Sequence, residues 1–330
     1  MPTKELTKIL EEVAPEIAAE ASLVTPRSDG HDPESQKQAW DVLVKQCHAV
    51  KVAAAQEGSL ARLFRAAIHN LARDNVAYCE YRIGIKPEPT KREYLDTLIQ
   101  VIEEEQQNHP GVTVRLLLSA ARHGELDFAQ ENIDIAIEYF QKSKAEGKEP
   151  IVCGVELGGV TTAGSWEAFR PMFQQARDAG LPIALHCGEN KQNQAEPREM
   201  MAFGPERLGH CVYLDDANMQ RLLESGIPVE TCLTCHDLCF SVPYPENVFA
   251  KLHKKGKVCL ATDNPSFYQT SLSDEYIRCC EHHDVTIADV FALARDAIDF
   301  AFTSEETKAS LRHRFDAAVD KLKQSYNLTD

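Results

Sequence analysis

The chain has 330 residues, of which 43% are hydrophobic and 26% charged, a balance typical of a folded globular protein with a large core. Asp and Glu outnumber Lys and Arg by 51 to 35, so the formal net charge is −16. Because an acidic surface repels nucleic acid backbones and anionic lipids, we exclude both as main partners. A phosphate on a small substrate remains compatible with a local basic pocket.

The first quarter of the chain predicts helices. A helical pattern covers residues 3–21, a loop rich in Pro, Gly, Asp and Ser covers 22–35, and two further helices cover 36–57 and 60–74. We therefore expect residues 1–75 to form an N-terminal helical segment.

From residue 76 onward, short β-rich runs alternate with longer amphipathic runs. Seven runs predict strands, at 76–83, 112–119, 151–157, 183–187, 207–212, 229–233 and 258–261. Helices are predicted between them at 91–105, 129–144, 165–179, 216–225 and 271–281, and again over 286–326. This alternation predicts parallel strands covered by helices in one domain, residues 1–330. Seven strands suit an open doubly wound sheet, whereas a closed barrel needs eight.

Eleven cysteines lie scattered along the chain, and the opening residues MPTKELTKILEEV form no apolar signal segment. Free thiols are typical of a reducing compartment, so we expect a cytoplasmic protein. The run Cys232-Leu233-Thr234-Cys235-His236 formally matches a haem attachment motif. With Cys239 it could also form a structural zinc site, but its strand-like setting favours buried thiols that pack as small apolar groups.

Residues suited to metal-assisted hydrolysis follow or end several predicted strands. His186 and Glu189 lie at the end of the fourth strand, His210 lies in the fifth, and Asp263 follows the seventh. Because the carboxyl ends of barrel strands face a common site, we expect these side chains to converge. Imidazole and carboxylate bind zinc, a second carboxyl can transfer a proton, and a second histidine can orient water. Taken singly, each residue also fits a core histidine, a helix-start carboxylate or a turn.

Three strings, LHCGEN, RLGHCVYL and ATDNPSFYQTSLSDEY, resemble the adenosine and AMP deaminase superfamily in order and spacing over residues 60–330. Details around Glu230-Thr231-Cys232-Leu233-Thr234, after Arg82 and at 292–299 are similar to the branch that deaminates N6-substituted AMP. The resemblance implies an α/β fold, a TIM-type (β/α)8 barrel of the metal-dependent hydrolase kind. It also implies zinc-dependent hydrolytic deamination of adenosine, AMP or N6-methyl-AMP to inosine or IMP.

The resemblance assigns roles by position. His186 would be a Zn²⁺ ligand, and Asp263 would be the last metal ligand and would accept a hydrogen bond from the attacking water. Glu189 would donate a proton to purine N1, and His210 would help activate the water. The Gly159 backbone N–H would bind the purine.

Further positions concern the purine and its phosphate. Asn264 stands where the family usually has a second Asp, and its amide could donate a hydrogen bond to purine N7. Arg82, Arg122 and Lys191 lie near strand ends and are candidates for a substrate phosphate.

The chain also departs from the family pattern. The family has a His-x-His metal-binding pair at the end of its first strand, and the chain contains no such pair. We therefore expect a barrel that lacks its first strand and keeps two of the usual three or more zinc ligands. Uncovered strands at 76–83 and 258–261 would then predict low stability or assembly into a homo-oligomer. Cys235 and His236 replace a common Ser-Asn, and Glu156 replaces an Asp.

These departures leave three hypotheses open. The chain is an active aminohydrolase, a catalytically impaired relative that binds purine nucleotide, or a truncated form of an active deaminase.

Overall fold

The computed structural model describes residues 3–21, 33–160 and 163–326. Its seven strands form one parallel sheet in which each strand pairs with its neighbours in chain order. The strands are β1 (Tyr78–Ile83), β2 (Thr113–Ala121), β3 (Val152–Gly158), β4 (Ile183–Cys187), β5 (Arg207–His210), β6 (Val229–Thr231) and β7 (Val258–Leu260). All seven predicted strands are confirmed. Because the order never reverses, a doubly wound sheet is excluded and the fold is that of a TIM-type barrel.

Helices precede the sheet and connect its strands. Before β1 lie α1 (Thr3–Val13), α2 (Pro15–Ala21), α3 (Pro33–Ala54) and α4 (Ser59–Arg73). Between β1 and β6 lie α5 (Lys91–Asn108), α6 (Leu126–Ala145), α7 (Trp166–Asp178), α8 (Ala195–Phe203) and α9 (Asp216–Ser225). Then follow α10 (Leu233–Phe240), a 3₁₀ turn (Tyr244–Glu246), α11 (Phe249–Leu252), α12 (Pro265–Tyr268), α13 (Leu272–His282), α14 (Ile287–Phe300) and α15 (Glu305–Tyr326). In the described part of the chain, no helix combines the length and apolar character of a membrane span.

The structure corrects three local predictions. Residues 3–21 form two helices, because Pro15 lacks an N–H and disfavours helical backbone in the residue before it. The sixth strand ends at Thr231, and Leu233 already belongs to α10. Of the predicted loop at 22–35, residues 22–32 lie outside the described residues and 33–35 open α3.

A buried ionic layer shows how the sheet curls. Arg207 of β5 is 5% exposed, pairs with Glu80 of β1, and donates from Nε to the Glu230 carboxylate of β6 at 2.6 Å. Arg82 of β1 also pairs with Glu230. The first strand therefore reaches the fifth and sixth across the sheet interior, which a flat sheet would not allow.

The register of β4 and β5 determines where the site residues lie relative to one another. His186 of β4 pairs with Gly209, and Cys187 pairs with His210 at the end of β5. Because parallel strands end at one edge, the polar residues after them meet there. The N-terminal helix α3 packs against α10 beside this edge, with Leu43 in one apolar cluster with Phe240.

Candidate active site

Four residues expected to act together do converge at the carboxyl edge of the sheet. The rings of His186 and His210 have centroids 4.8 Å apart. Nε2 of His210 lies 3.6 Å from Oε1 of Glu189. Ligand atoms of His210, Cys235 and Asp263 all lie within 4.8 Å of one another. Residues up to 77 positions apart in sequence therefore share one small volume.

Unusual backbone geometry marks the same edge. His210, Cys211 and Asp263 have φ angles of 61°, 55° and 53°, in the left-handed region that non-glycine residues rarely adopt. Such strain costs of order 1 kcal/mol or more per residue and persists where surrounding structure enforces it, most often at functional sites. The strain supports a chemical role for His210 and Asp263 over a plain core or turn role.

Glu189 has the properties of a proton donor. Its side chain is 7% exposed. Burial raises its pKa to about 7, with the negative charge of Asp263 adding to the rise while His186 and Arg122 oppose it. Buried Oε2 has no hydrogen-bond partner among the described residues. The carboxyl therefore holds a proton near neutral pH and keeps one oxygen available to a substrate.

His186 is oriented by a buried acid. Its Nδ1 lies 3.1 Å from Oε2 of Glu156, whose side chain is 4% exposed. The contact falls short of good hydrogen-bond alignment, and neither atom has another partner among the described residues. A carboxylate behind Nδ1 leaves Nε2 with its lone pair, which is the arrangement found behind metal-binding histidines.

A chain of hydrogen bonds fixes the tautomer of His210. The Oδ1 atom of Asn247 accepts the N–H of Phe249, so its amide nitrogen faces Nδ1 of His236 at 2.9 Å. His236 therefore carries its proton on Nε2, which lies 3.2 Å from Nδ1 of His210. His210 then carries its own proton on Nε2, the atom that points toward Glu189.

Both imidazoles stay neutral in this chain. Burial lowers the pKa of His236 to about 4, and burial together with the neighbouring His186 lowers the pKa of His210 well below its usual value. His210 thus presents a fixed N–H at neutral pH. Sequence reasoning missed His236 as a partner of His210, because a pairing across 26 residues leaves no local signal.

The amino-acid sequence is similar to those of known proteins over most of its length. The family model described as "Adenosine deaminase" matches residues 32–318. The chain belongs to the adenosine deaminase family. It is 32% identical over 287 residues to the N6-mAMP deaminase of Arabidopsis thaliana, which covers 79% of this chain and 78% of that protein. It is 30% identical over 260 residues to the adenosine deaminase-like protein of Drosophila melanogaster, covering 78% and 75%.

Solved structures agree with the barrel. The apo structure of N6-methyl-AMP deaminase from Arabidopsis thaliana superposes with a TM-score of 0.82 at 29% identity, covering 97% of this chain and 94% of that chain. An Arabidopsis structure complexed with IMP gives the same score. These relatives are deaminases of adenine nucleotides by name, and the chain therefore belongs to a family of hydrolytic deaminases.

The cysteine-rich segment at residues 232–239 is mostly buried. Cys235 and Cys239 contact the hydroxyl of Tyr268 at 3.6 and 3.4 Å. His236 uses both ring nitrogens in hydrogen bonds, which leaves none for a metal. The segment therefore packs as buried thiols, as favoured from the sequence, and neither haem attachment nor a structural zinc site fits it.

The two predicted purine contacts lie at the same edge. Gly159 follows β3 with a φ of 101°, and a Cβ there would lie 2.7 Å from Nδ1 of His123. Only glycine fits both the angle and the space. Asn264 is exposed and donates from Nδ2 to Oδ1 of Asp263 at 2.7 Å. Their contacts with a purine remain predictions.

Two of the three phosphate candidates are already neutralised. Arg82 pairs with Glu230, and buried Arg122 pairs with Glu196 at 2.6 Å. Sequence could not show this, because Arg82 and Glu230 are 148 residues apart. Lys191, the third candidate, is exposed.

The histidine pair yields a first prediction. His236→Leu removes the donor to Nδ1 of His210 and frees the ring to change tautomer, so kcat should fall about 10- to 100-fold with KM little changed. His236→Asn keeps an N–H donor at the position where the family commonly has Asn, so it should retain most activity. Steady-state kinetics of both variants check this; equal kcat for wild type and His236→Leu would refute the positioning role.

Proposed function

We propose that the chain is a zinc-dependent hydrolase that removes the 6-amino or 6-methylamino group of AMP or N6-methyl-AMP. Water and N6-methyl-AMP would give IMP and methylamine; water and AMP would give IMP and ammonia. The observation that carries the proposal is buried Glu189, protonated near neutral pH and placed beside His210 and His186 at the strand ends.

Each residue has a stated part. Protonated Glu189 donates to purine N1, which makes C6 electrophilic and places negative charge on the buried carboxylate. The Nε2–H of His210 holds the attacking water in line with C6. Asp263, exposed at the mouth of the site, accepts a hydrogen bond from that water. Proton transfer from a positioned carboxyl contributes about 10²- to 10⁴-fold in rate.

The donors around Asp263 fit a zinc ion. His186, with Glu156 behind its Nδ1, would offer Nε2, and Asp263, which lies close enough to feel the charge of His186, would offer a carboxylate. The Cys235 thiol is a further donor close to Asp263. Catalytic zinc sites use three protein ligands, of which His186 and Asp263 would be two. Zinc bound there supplies Lewis-acid activation of water near neutral pH.

Two lysines support a nucleotide over a nucleoside. Lys51 of α3 and half-buried Lys86 after β1 both lie close enough to His123 to lower its pKa, although burial is the larger cause. His123 touches the position of Gly159, where the purine is expected. The Arabidopsis relatives were crystallised with GMP and IMP, which carry a 5′-phosphate.

Lys86→Gln should therefore raise KM for AMP about 10-fold, the loss of one charged hydrogen bond, and leave KM for adenosine unchanged. Lys45→Gln removes an exposed lysine of α3, the helix that holds Lys51, and serves as the control. Parallel kinetics with both substrates check this. A Lys86→Gln variant whose KM rises equally for AMP and adenosine would remove Lys86 from phosphate binding.

The proposal is tested with purified protein, before and after loading with zinc, on adenosine, AMP and N6-methyl-AMP. We expect turnover of at least one nucleotide that a chelator abolishes and zinc restores. Nucleotide binding without turnover would instead support a catalytically impaired relative, which the deaminase names of the matched proteins do not favour.

A further inference from the structure

A second group of metal-binding side chains lies on the outside of the barrel, between α4 and α5. It consists of His69 in α4, Glu105 in the last turn of α5, and His109 directly after α5. One ligand atom from each of the three lies within 4.8 Å of the others. The proposed catalysis does not use any of these residues.

Both imidazoles face the same oxygen. Nε2 of His69 lies 2.8 Å from Oε2 of Glu105, and Nε2 of His109 lies 3.6 Å from that atom. The second distance is too long for a hydrogen bond. The ring centroids are 4.9 Å apart with an interplanar angle of 69°. Two imidazole nitrogens thus face one carboxylate oxygen, and of these two contacts only that of His69 has hydrogen-bond length.

The other carboxylate oxygen is held from behind. Oε1 of Glu105 accepts from Nε of Arg65 at 3.0 Å and from Nδ2 of Asn108 at 3.2 Å. The Glu105 side chain is 2% exposed, whereas His69 and His109 are 40% and 37% exposed. These hydrogen bonds fix the orientation of the carboxylate, so Oε2 has a defined position as a ligand atom. The partly exposed rings leave one side of the group open to water.

We propose that His69, Glu105 and His109 bind one Zn²⁺ ion that joins α4 to α5. Two imidazole nitrogens and one carboxylate oxygen are a common ligand set for zinc, and water completes the four positions. Calcium and magnesium prefer oxygen ligands alone. Arg65 is shared with Glu104, to which it donates at 2.5 Å, so the two acids and one arginine leave a net negative charge that favours a cation.

The ion would stabilise the helical layer outside β1. Helix α4 packs against α5, and α5 packs against β2. Bound zinc ties these helices together only in the folded state, so it raises the folded population by mass action.

The test compares zinc content and thermal unfolding of the full chain after dialysis against zinc. Asp263→Ala removes a donor of the candidate active site and serves as the background. In that background we expect one equivalent of zinc and a Tm higher by about 4 °C at zinc concentrations near 100 times Kd. Adding His69→Asn and His109→Asn should abolish both effects. Adding His313→Asn, an exposed histidine of α15, should change neither.

Circular dichroism before zinc addition checks that each variant is folded. We expect the variants to fold because the replaced histidines are partly exposed. Equal zinc content with and without His69 and His109, or no zinc in the Asp263→Ala background, would overturn the proposal. Neither result depends on deaminase activity, so failure of this site and failure of the proposed function are distinguishable.

Discussion

Replacing Glu189 by Gln is expected to lower kcat about 10²- to 10⁴-fold, because the amide cannot give a proton to purine N1. Glutamine matches the shape of glutamic acid, so KM and the fold should change little. Glu199→Gln, an exposed position in α8, is the matched control and should keep wild-type kinetics. Unchanged kcat in Glu189→Gln would remove this residue from the chemistry.

The pH dependence of activity should also report on the proton of Glu189. Burial raises the pKa of Glu189 to about 7, and the protonated form is the active donor. Activity of the wild type should therefore fall as pH rises through about 7. Residual activity of Glu189→Gln should lack that limb.

The stability of the wild type should also fall as pH rises. A carboxyl with a raised folded-state pKa favours folding at low pH and loses that contribution as pH rises from about 4.5 to about 7. At pH 8 Glu189→Gln should therefore be more stable than wild type by roughly 1–3 kcal/mol. Burial of Glu189 thus lowers the stability of the fold at high pH, and the same burial keeps a proton on the carboxyl near neutral pH. Functional sites often reduce stability in this way.

Arg207→Leu should lower the free energy of unfolding by about 3–5 kcal/mol, because it leaves buried Glu80 without its cation and Glu230 with Arg82 alone. Arg207 pairs with Glu80 and Glu230, donates to the carbonyl of Phe300 at 2.6 Å, and lies 3.5 Å over the ring of Phe302. Urea unfolding at pH 7 measures the change.

Arg295→Leu is the matched control. Arg295 pairs with Asp316 at 3.0 Å, but both side chains are about half exposed. Surface pairs of this kind contribute about 0–1 kcal/mol. If Arg207→Leu were no more destabilising than Arg295→Leu, the ionic layer would not hold β1 against β5 and β6.

The sequence predicted the sheet well because its signals are local. Each strand is a short apolar run bounded by turn residues, and β3 is buried at every position, as a strand covered by helices should be. The four residues proposed for chemistry could be placed together because parallel strands end at one edge. Their convergence needed only the strand order.

Other features depended on contacts that no local pattern encodes. Arg82 looked free for a phosphate, but Glu230 from β6 neutralises it. His236 looked like part of a metal motif, but Asn247 and His210 occupy its nitrogens. Helix α10 begins where a strand was expected to continue, since Thr234 and Glu275 hydrogen-bond across 41 residues at its first turn.

The central claim is that water replaces the amine at purine C6 with Glu189 as proton donor. Zinc-loaded protein is incubated with N6-methyl-AMP in ¹⁸O-labelled water, and the products are examined by mass spectrometry. We predict methylamine and IMP with one ¹⁸O at C6, at a rate that falls about 10²-fold or more in Glu189→Gln. Unlabelled IMP, or labelled IMP formed equally fast by Glu189→Gln, would contradict the account.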